Sequence, residues 1–242
     1  MTSPLLNDPR LIVGLDLPSV EVARDMVDRI GDVVTFYKVG LTLLARPGGV
    51  AFAHDLRARG KQVFQDWKLH DIGAQVEGAA RAVADGGCDL LTVHAEPQVM
   101  TAAARGAAGS GTKVLAVTVL TSLSDDDLKA IGYGATAAEL VARRVHQALD
   151  CGVDGVVSSP LEAAAARAAA DAAGRPDFLI VTPGVRPAGA DLGDQQRVAT
   201  PAAALTAGAS HLVVARPVIA DASPMMAAAR IAAEMSEVRL RA

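Results

Sequence analysis

Short apolar runs alternate with longer amphipathic segments along the whole chain. Each run carries few charges before its last residues, which is typical of parallel strands that are buried on both faces. The segments between the runs show helical spacing, and their capping signals are Ser19, Ser124 with Asp127, Thr200-Pro201 and Ser223-Pro224. The pattern predicts eight strands near residues 11, 33, 62, 90, 114, 155, 178 and 211, with helices between them. The first strand is predicted to run from Leu11 to Leu17, the second from Val33 to Leu41 and the eighth from His211 to Pro217.

Glycine marks the predicted junction between a helix and the next strand at Gly60, Gly86-Gly87, Gly152 and Gly208. Glycine suits the left-handed position that ends many helices, and repetition of one junction indicates βα units in series. Eight units predict an α/β protein, a single-domain (β/α)8 TIM barrel that spans residues 1–242. An open doubly wound sheet is the alternative, although no GxGxxG motif follows the first strand.

Composition and net charge argue against several classes of function. Hydrophobic residues make up 51% of the 242 positions and charged residues 21%, which is typical of a globular protein. The net charge of -4 predicts no nucleic-acid partner and no attraction to an anionic membrane, so any anion needs a local site. We expect neither secretion nor membrane insertion, because no long apolar segment is present. Cys88 and Cys151 lack metal spacing, and a reducing cytoplasm is the simplest location.

The third strand ends in a cluster of charges. Asp66 and Lys68 alternate with apolar residues and should project from one face of the strand, and Asp71 falls in the turn beyond it. Charges this close are costly to desolvate unless they neutralise one another, and such clusters often mark sites of chemistry. The alternative is a surface charge cluster, but the strand that leads into it is too apolar for a solvated face.

Further candidate site residues lie at the predicted carboxyl ends of other strands, where active sites of (β/α)8 barrels form. They are Asp16, Lys38, Thr121, Ser122, Pro183, Arg186, Ala215 and Arg216. The seventh connection, residues 184–197, is long and glycine-rich and is interpreted as a ligand-covering lid. The predicted eighth strand supplies Arg216 near its end, at a frequent phosphate position, and arginine offers a planar fork to phosphate oxygens.

No catalytic role is predicted for the histidines or for several hydroxyl residues. The five histidines show no metal spacing and are interpreted as structural residues. Ser122 has no histidine base at a recognisable distance along the chain, which argues against a nucleophilic triad. Thr92 and Ser158-Ser159 are interpreted as strand and cap residues.

Taken in order, these motifs resemble the orotidine 5′-phosphate decarboxylase family over nearly the whole chain. The matching segments are Leu15-Asp16, Tyr37-Lys38-Val39-Gly40, Asp66-x-Lys68-x-x-Asp71-Ile72, Leu120-Thr121-Ser122, Val181-Thr182-Pro183-Gly184-Val185-Arg186, Gly193-Asp194-Gln195 and Arg216-Pro217. The resemblance implies conversion of orotidine 5′-monophosphate to uridine 5′-monophosphate in pyrimidine biosynthesis, without a metal or organic cofactor. It also implies a homodimer, because the last aspartate of the motif reaches the neighbouring subunit's site in that family.

The resemblance also implies residue roles. Lys68 would protonate C6 of the pyrimidine, Asp66 would face the scissile carboxylate, and Lys38 and Asp71 would complete the charge network. The expected substrate contacts are Asp16 and Lys38 at the ribose, Thr121 and Ser122 at the ribose or pyrimidine, Pro183 and Ala215 in the binding segments, and Arg186, Gln195 and Arg216 at the phosphate or its lid.

The chain departs from the family pattern at Gly73-Ala74-Gln75, where a ribose-binding hydroxyl is usual, and at Ala215, where glycine is usual. These departures keep open a catalytically silent nucleotide-binding protein or scaffold. The nearest rival enzyme is a magnesium-dependent sugar-phosphate decarboxylase or aldolase, a keto-gulonate-phosphate decarboxylase or a hexulose-phosphate synthase. Those enzymes typically place a carboxylate where this chain has Lys38.

Overall fold

A computed structural model describes residues 7–186 and 199–238. Eight strands form a closed barrel in sequence order, and every neighbouring pair is parallel. This architecture confirms the predicted (β/α)8 barrel. The strands are β1 (Leu11–Gly14), β2 (Phe36–Gly40), β3 (Gln62–Leu69), β4 (Leu90–His94), β5 (Lys113–Val117), β6 (Gly155–Val157), β7 (Leu179–Thr182) and β8 (His211–Val214).

Helices cover the outside of the barrel. None of those in the described ranges combines the length and hydrophobicity needed to cross a membrane. They are α1 (Val20–Ile30), α2 (Leu41–Leu44), α3 (Gly49–Ala58), α4 (Gly73–Asp85), α5 (Pro97–Ala107), α6 (Asp125–Ala130), α7 (Ala137–Asp150), α8 (Ala163–Ala172), α9 (Pro201–Thr206), α10 (Arg216–Ile219) and α11 (Pro224–Ser236), with a 3-10 turn at Gly31–Val33.

Alternate residues of each strand face either the barrel interior or the surrounding helices, so the buried apolar residues form an interior core and an outer layer beneath the helices. Side chains one residue apart point to opposite faces of a strand, so Tyr37 packs against the helices while Phe36 points into the barrel. The interior cluster consists of Ile12, Phe36, Phe64, Leu90, Leu115, Val181 and Val213. These residues fill the barrel below its carboxyl-end opening, and the polar side chains of the same strands lie above them.

The predicted helix ends are mostly confirmed. Gly60, Gly87, Gly152 and Gly208 have φ angles of 74°, 80°, 73° and 106°, the left-handed conformation that the junction pattern predicted.

The N-terminal caps are also mostly confirmed. Ser19 accepts a hydrogen bond from the Val22 N–H, Ser124 and Asp127 form a capping box, and Thr200 caps α9. The prediction for Ser223 was wrong, because its hydroxyl makes no capping hydrogen bond.

Several strands are shorter than the apolar pattern predicted. β1 ends at Gly14, β2 begins only at Phe36, and Arg216 opens α10 instead of ending β8. Apolar residues continue beyond the last ladder pair because the loops above and below the barrel are also buried. Asp16 and Arg216 therefore lie outside β1 and β8, whereas Lys38, Asp66 and Lys68 lie within β2 and β3 near the barrel opening.

Candidate active site at the carboxyl ends of the strands

A cavity of about 440 Å³ opens at the carboxyl ends of the strands. Nine predicted site residues line it, from the ends of six different strands or the loops after them. They are Asp16, Lys38, Asp66, Lys68, Thr121, Pro183, Arg186, Ala215 and Arg216. The folded chain therefore brings together residues that lie up to two hundred positions apart.

Four charges of alternating sign form one wall of the cavity. Lys38 Nζ lies 3.0 Å from Asp16 Oδ1 and 3.5 Å from Asp66 Oδ2. Lys68 Nζ lies 2.7 Å from the same Asp66 oxygen. The Lys38 and Asp66 side chains are almost buried, with 12% and 11% exposed, whereas Asp16 is half exposed. Each charge thus has an opposite charge beside it, as burial requires.

The register of β1, β2 and β3 places this wall. Gly14 pairs with Lys38, and Gly40 pairs with Asp66, so two glycines stand next to the two buried charges. A Cβ at Gly40 would lie 2.9 Å from Lys38 Nζ and 3.2 Å from Asp16 Oδ1. The missing side chain therefore leaves the space in which the ammonium and the carboxylate meet.

Electrostatics hold the buried pair in its charged form. Burial of Asp66 opposes ionisation, but attraction from Lys38 and Lys68 and hydrogen bonds from Lys68 and Thr92 outweigh it and lower the pKa of Asp66. Burial acts against charge on Lys38 as well, yet Asp66 and Asp16 raise the pKa of its ammonium. Asp66 is thus a carboxylate and Lys38 an ammonium at neutral pH.

The end of β3 departs from regular strand geometry. Gln65 pairs with Leu91 and Leu69 pairs with Val93, so three residues of β3 stand opposite the single residue Thr92 of β4. Lys68, in this bulge, has a φ of 50°, which is uncommon for a side chain other than glycine. The simple alternation that predicted one shared face does not persist here, and the bulge brings Lys68 Nζ onto Asp66.

Sequence reasoning missed two hydroxyl residues. Thr92 is fully buried and donates to Asp66 Oδ1 at 2.7 Å. Ser158 lines the cavity, is 1% exposed, and its Oγ makes no hydrogen bond with the described residues. A polar residue inside an apolar strand was the available signal, but threonine and serine occur there so often that the signal alone is weak.

Arginine residues stand on another side of the cavity. Arg186 is 8% exposed, and Arg186 Nη1 donates to the Val185 carbonyl. Arg216 follows β8 and begins α10. A Cβ at Gly14 would lie 3.1 Å from the Ala215 methyl, so the glycine leaves room for the larger residue at position 215. The cavity lining therefore includes two guanidinium groups in addition to the four charges of the wall.

The remaining predicted residues lie elsewhere. Asp71 is exposed, does not line the cavity, and accepts a hydrogen bond from the Ile72 N–H at 2.6 Å. Ser122 is exposed and also lies off the cavity, although its neighbour Thr121 lines it. Gln195, with most of the predicted lid, lies outside the described residues.

Two histidines and a glutamate meet beside the cavity. His70 Nε2 lies 3.6 Å from Glu96 Oε2, and possible ligand atoms of His70, His94 and Glu96 lie within 4.8 Å of one another. The sequence spacing did not predict this cluster, because its residues lie at or just beyond the ends of two different strands, β3 and β4. Arg144 pairs with the other Glu96 oxygen at 3.3 Å. Its guanidinium opposes binding of a cation at the same place.

Comparisons with known proteins agree with this geometry. Residues 9–231 match the model of the Orotidine 5′-phosphate decarboxylase / HUMPS family. The chain is 62% identical over 231 residues to orotidine 5′-phosphate decarboxylase of Caulobacter vibrioides, covering 96% of this chain and 99% of that relative. It is 60% identical to the enzyme of the same name from Caulobacter sp. K31 over 229 residues, covering 95% and 98% of the two chains.

A solved structure shares the fold as well. Orotidine 5′-phosphate decarboxylase from Lactobacillus acidophilus matches with a TM-score of 0.80 and 35% identity, over 94% of this chain and 99% of that one. Family model, relatives and structure cover nearly the same residues, and the ordered site motifs lie within them. The chain therefore belongs to the orotidine 5′-phosphate decarboxylase / HUMPS family.

Proposed function

We propose that this protein decarboxylates orotidine 5′-monophosphate to uridine 5′-monophosphate, with Lys68 as the acid that protonates C6. The observation that carries the proposal is the wall formed by Asp16, Lys38, Asp66 and Lys68 in a cavity of substrate size. The 62% identity to a protein named for this activity supports the choice of reaction. The protein is accordingly a carboxy-lyase of pyrimidine biosynthesis.

The chemistry follows from where the charges stand. Cleavage of the bond between C6 and the carboxylate releases carbon dioxide and leaves an electron pair on C6. Lys68 Nζ donates a proton to that pair, and the amine then regains a proton from solvent through its 27% exposed side chain. The ammonium is already fixed by Asp66, so it stabilises the developing negative charge without rearrangement.

Asp66 has a second effect on the substrate. Two negative charges about 4 Å apart repel by about 4 kcal/mol at an effective dielectric constant near 20. A substrate carboxylate beside Asp66 is therefore destabilised, and the repulsion disappears as carbon dioxide forms. Lys38 keeps Asp66 charged during this step through the contact at 3.5 Å.

Binding of the rest of the nucleotide is assigned to residues beyond the Asp66–Lys68 pair. Arg186 and Arg216 would bind the phosphate together with Gln195, and Pro183 and Ala215 would line that region. Asp16 and Lys38 would contact the ribose, with Thr121 and Ser122 near the ribose or the base. Phosphate binding far from C6 supplies energy that orders the reacting end.

We assign Asp71 to the active site of a second subunit in a homodimer. Asp71 is exposed and does not line the cavity of its own chain, and the adjacent Ile72 leaves 66% of its surface exposed. An exposed isoleucine beside an exposed carboxylate fits an interface that brings Asp71 to a partner's site.

Mixed dimers test this assignment. Lys68→Ala and Asp71→Ala variants should each be nearly inactive alone. Mixing them should restore activity, because one site of each mixed dimer then receives Lys68 from one chain and Asp71 from the other. A mixture as inactive as its components would place Asp71 in its own chain's site, and a monomer in light scattering would exclude the dimer.

Turnover of orotidine 5′-monophosphate in excess chelator tests the function itself. Full activity is expected, because Lys38 places a cation where the magnesium-dependent rivals typically use a carboxylate. Loss of activity on chelation, restored by magnesium, would favour the sugar-phosphate enzymes. Tight binding of uridine 5′-monophosphate without turnover would instead indicate a silent nucleotide-binding protein.

We also place the enzyme in the cytoplasm. Cys88 and Cys151 are both free thiols, and burial raises the pKa of Cys88 to about 12, which keeps it protonated. Free cysteines are common where the environment is reducing.

A further inference from the structure

We propose that Thr92 is a positioning residue for decarboxylation, which acts by orienting Asp66 and the backbone of Lys68. The inference rests on the proposed function and assigns a role to a residue of β4 that does not line the cavity. Its basis is one buried hydroxyl that joins both members of the Asp66–Lys68 pair through hydrogen bonds.

The Thr92 hydroxyl donates one hydrogen bond and accepts another, each with a different partner. It donates to Asp66 Oδ1 at 2.7 Å and accepts from the Lys68 backbone N–H at 3.0 Å. An ionised carboxylate can only accept and a backbone N–H can only donate, so the directions of both hydrogen bonds are determined. Thr92 is 0% exposed, and water cannot replace either contact without a change in packing.

The contact to Asp66 decides which oxygen faces the lysines. Thr92 occupies Oδ1, and both lysine ammonium groups approach Oδ2, at 2.7 Å for Lys68 and 3.5 Å for Lys38. A carboxylate rotates about χ2 over a broad minimum unless hydrogen bonds hold it. The threonine therefore fixes the plane of the carboxylate that is proposed to repel the substrate.

The contact to Lys68 supports an uncommon backbone conformation. Thr92 is the single β4 residue opposite residues 66–68 of the β3 bulge, and Lys68 has a φ of 50°. The bulge leaves the Lys68 N–H without its regular ladder partner, and the Thr92 oxygen accepts from it instead. The direction in which the lysine side chain leaves the strand thus depends on this hydrogen bond.

Thr92→Val removes the hydroxyl and keeps the shape, whereas Thr92→Ser keeps the hydroxyl. We expect kcat of Thr92→Val to fall about 10- to 100-fold with KM changed less than about threefold, since small misplacement of catalytic groups has effects of this size. Thr92→Ser should stay within about threefold of the parent. Thr182→Val is the matched control, because Thr182 is equally buried on β7 and its hydroxyl makes no hydrogen bond with the described residues.

A second measurement distinguishes a positioning role of Thr92 from a general disturbance of the structure. Loss of the hydrogen bond should raise the pKa of Asp66, so a ¹³C carboxyl titration of Thr92→Val should show this resonance moving at higher pH, whether or not the enzyme turns over. If Thr92→Val fails to fold, Thr92→Cys, whose thiol is a weaker donor than a hydroxyl, should give a kcat below that of the serine enzyme.

Three results would overturn the inference. They are a parental kcat in the valine or cysteine variant, a kcat of the serine variant as low as that of the valine variant, and an Asp66 pKa that is the same in Thr92→Val as in the parent. An inactive parent enzyme would instead count against the proposed function, and the titration would still report on Thr92.

Discussion

Buried carboxylates stand at both ends of this barrel, and their partners differ. At the amino end, the Asp8 carboxylate accepts two hydrogen bonds from the Arg10 guanidinium, at 2.9 and 2.6 Å. The same guanidinium donates to the carbonyls of Met235, near the end of α11, and Val238, just after it. At the carboxyl end, Asp66 contacts two lysines that also line the cavity.

The difference indicates that the ion pair at the amino end stabilises the fold, whereas the ion pair at the carboxyl end is available to a ligand. The planar guanidinium of Arg10 has its donors committed to fixed acceptors, so the pair joins β1 to the last helix. An ammonium has three donors and a flexible stem, so Lys68 can contact Asp66 and still present a proton to a ligand. Substitutions at the two ends should therefore separate turnover from stability.

The largest effect is expected at the carboxyl end. Lys68→Ala removes the proposed proton donor and should lower kcat by about 10⁴-fold or more, since general acid catalysis and electrostatic stabilisation are lost together. Binding of uridine 5′-monophosphate, measured by calorimetry, should persist. Lys113→Ala, which removes an exposed partner of Asp154, is the control and should retain full kcat. Near-parental turnover of Lys68→Ala would remove Lys68 from the chemistry.

The amino end should respond in stability alone. Arg10→Met leaves the 6% exposed Asp8 without its charged partner and should lower the free energy of unfolding by about 3–5 kcal/mol. The matched change Arg24→Met breaks a half-exposed pair with Asp55 and should cost less than about 1 kcal/mol. Urea unfolding measures both, and kcat at low temperature should stay unchanged. A loss of kcat in folded Arg10→Met would contradict the separation of the two ends.

His211 makes the amino end sensitive to pH. Burial, with repulsion from nearby Arg10, lowers the pKa of His211 from 6.5 to about 4, against an opposing effect of Asp8. The unfolded chain therefore binds a proton first, so the stabilising contribution is complete above pH 6.5 and is lost as the pH falls toward 4. The full loss is on the order of 3 kcal/mol.

His211→Gln should flatten this dependence when urea unfolding is followed between pH 4 and 7. His94 at the carboxyl end, whose pKa burial also lowers, contributes a slope of the same sign that both proteins retain. The difference between the two curves isolates His211. Parallel curves would show that His211 titrates alike in the folded and unfolded chains.

Gly40→Ala should give the smallest effect, and on activity only. The new Cβ would lie 2.9 Å from Lys38 Nζ, which can shift because it ends a flexible stem, and the φ of Gly40, -96°, suits alanine. We expect kcat/KM to fall about tenfold through displaced charges, with an unchanged melting temperature. Gly78→Ala, on open helix surface, should leave kinetics intact and slightly raise stability. Equal kinetics in the two variants would exclude crowding of Lys38.

Part of the site could be predicted because its residues are unusual where they stand. Lys38, Asp66 and Lys68 interrupt apolar strands, and buried charge is rare enough to indicate function. Thr92 and Ser158 were missed for the opposite reason, since hydroxyl residues are ordinary in strands. Their importance lies in what surrounds them, namely the Asp66 carboxylate for Thr92 and the cavity for Ser158.

The amino-acid sequence by itself determined the eight alternating units, the glycine helix ends and the residue types of the charge wall, because these depend on local periodicity and on the cost of burying charge. Only the tertiary structure decided the bulge at residues 66–68, the position of Asp71 outside the cavity and the meeting of His70 with Glu96. Each of these depends on the register between strands or on loop direction, which are set by contacts between segments distant in the chain.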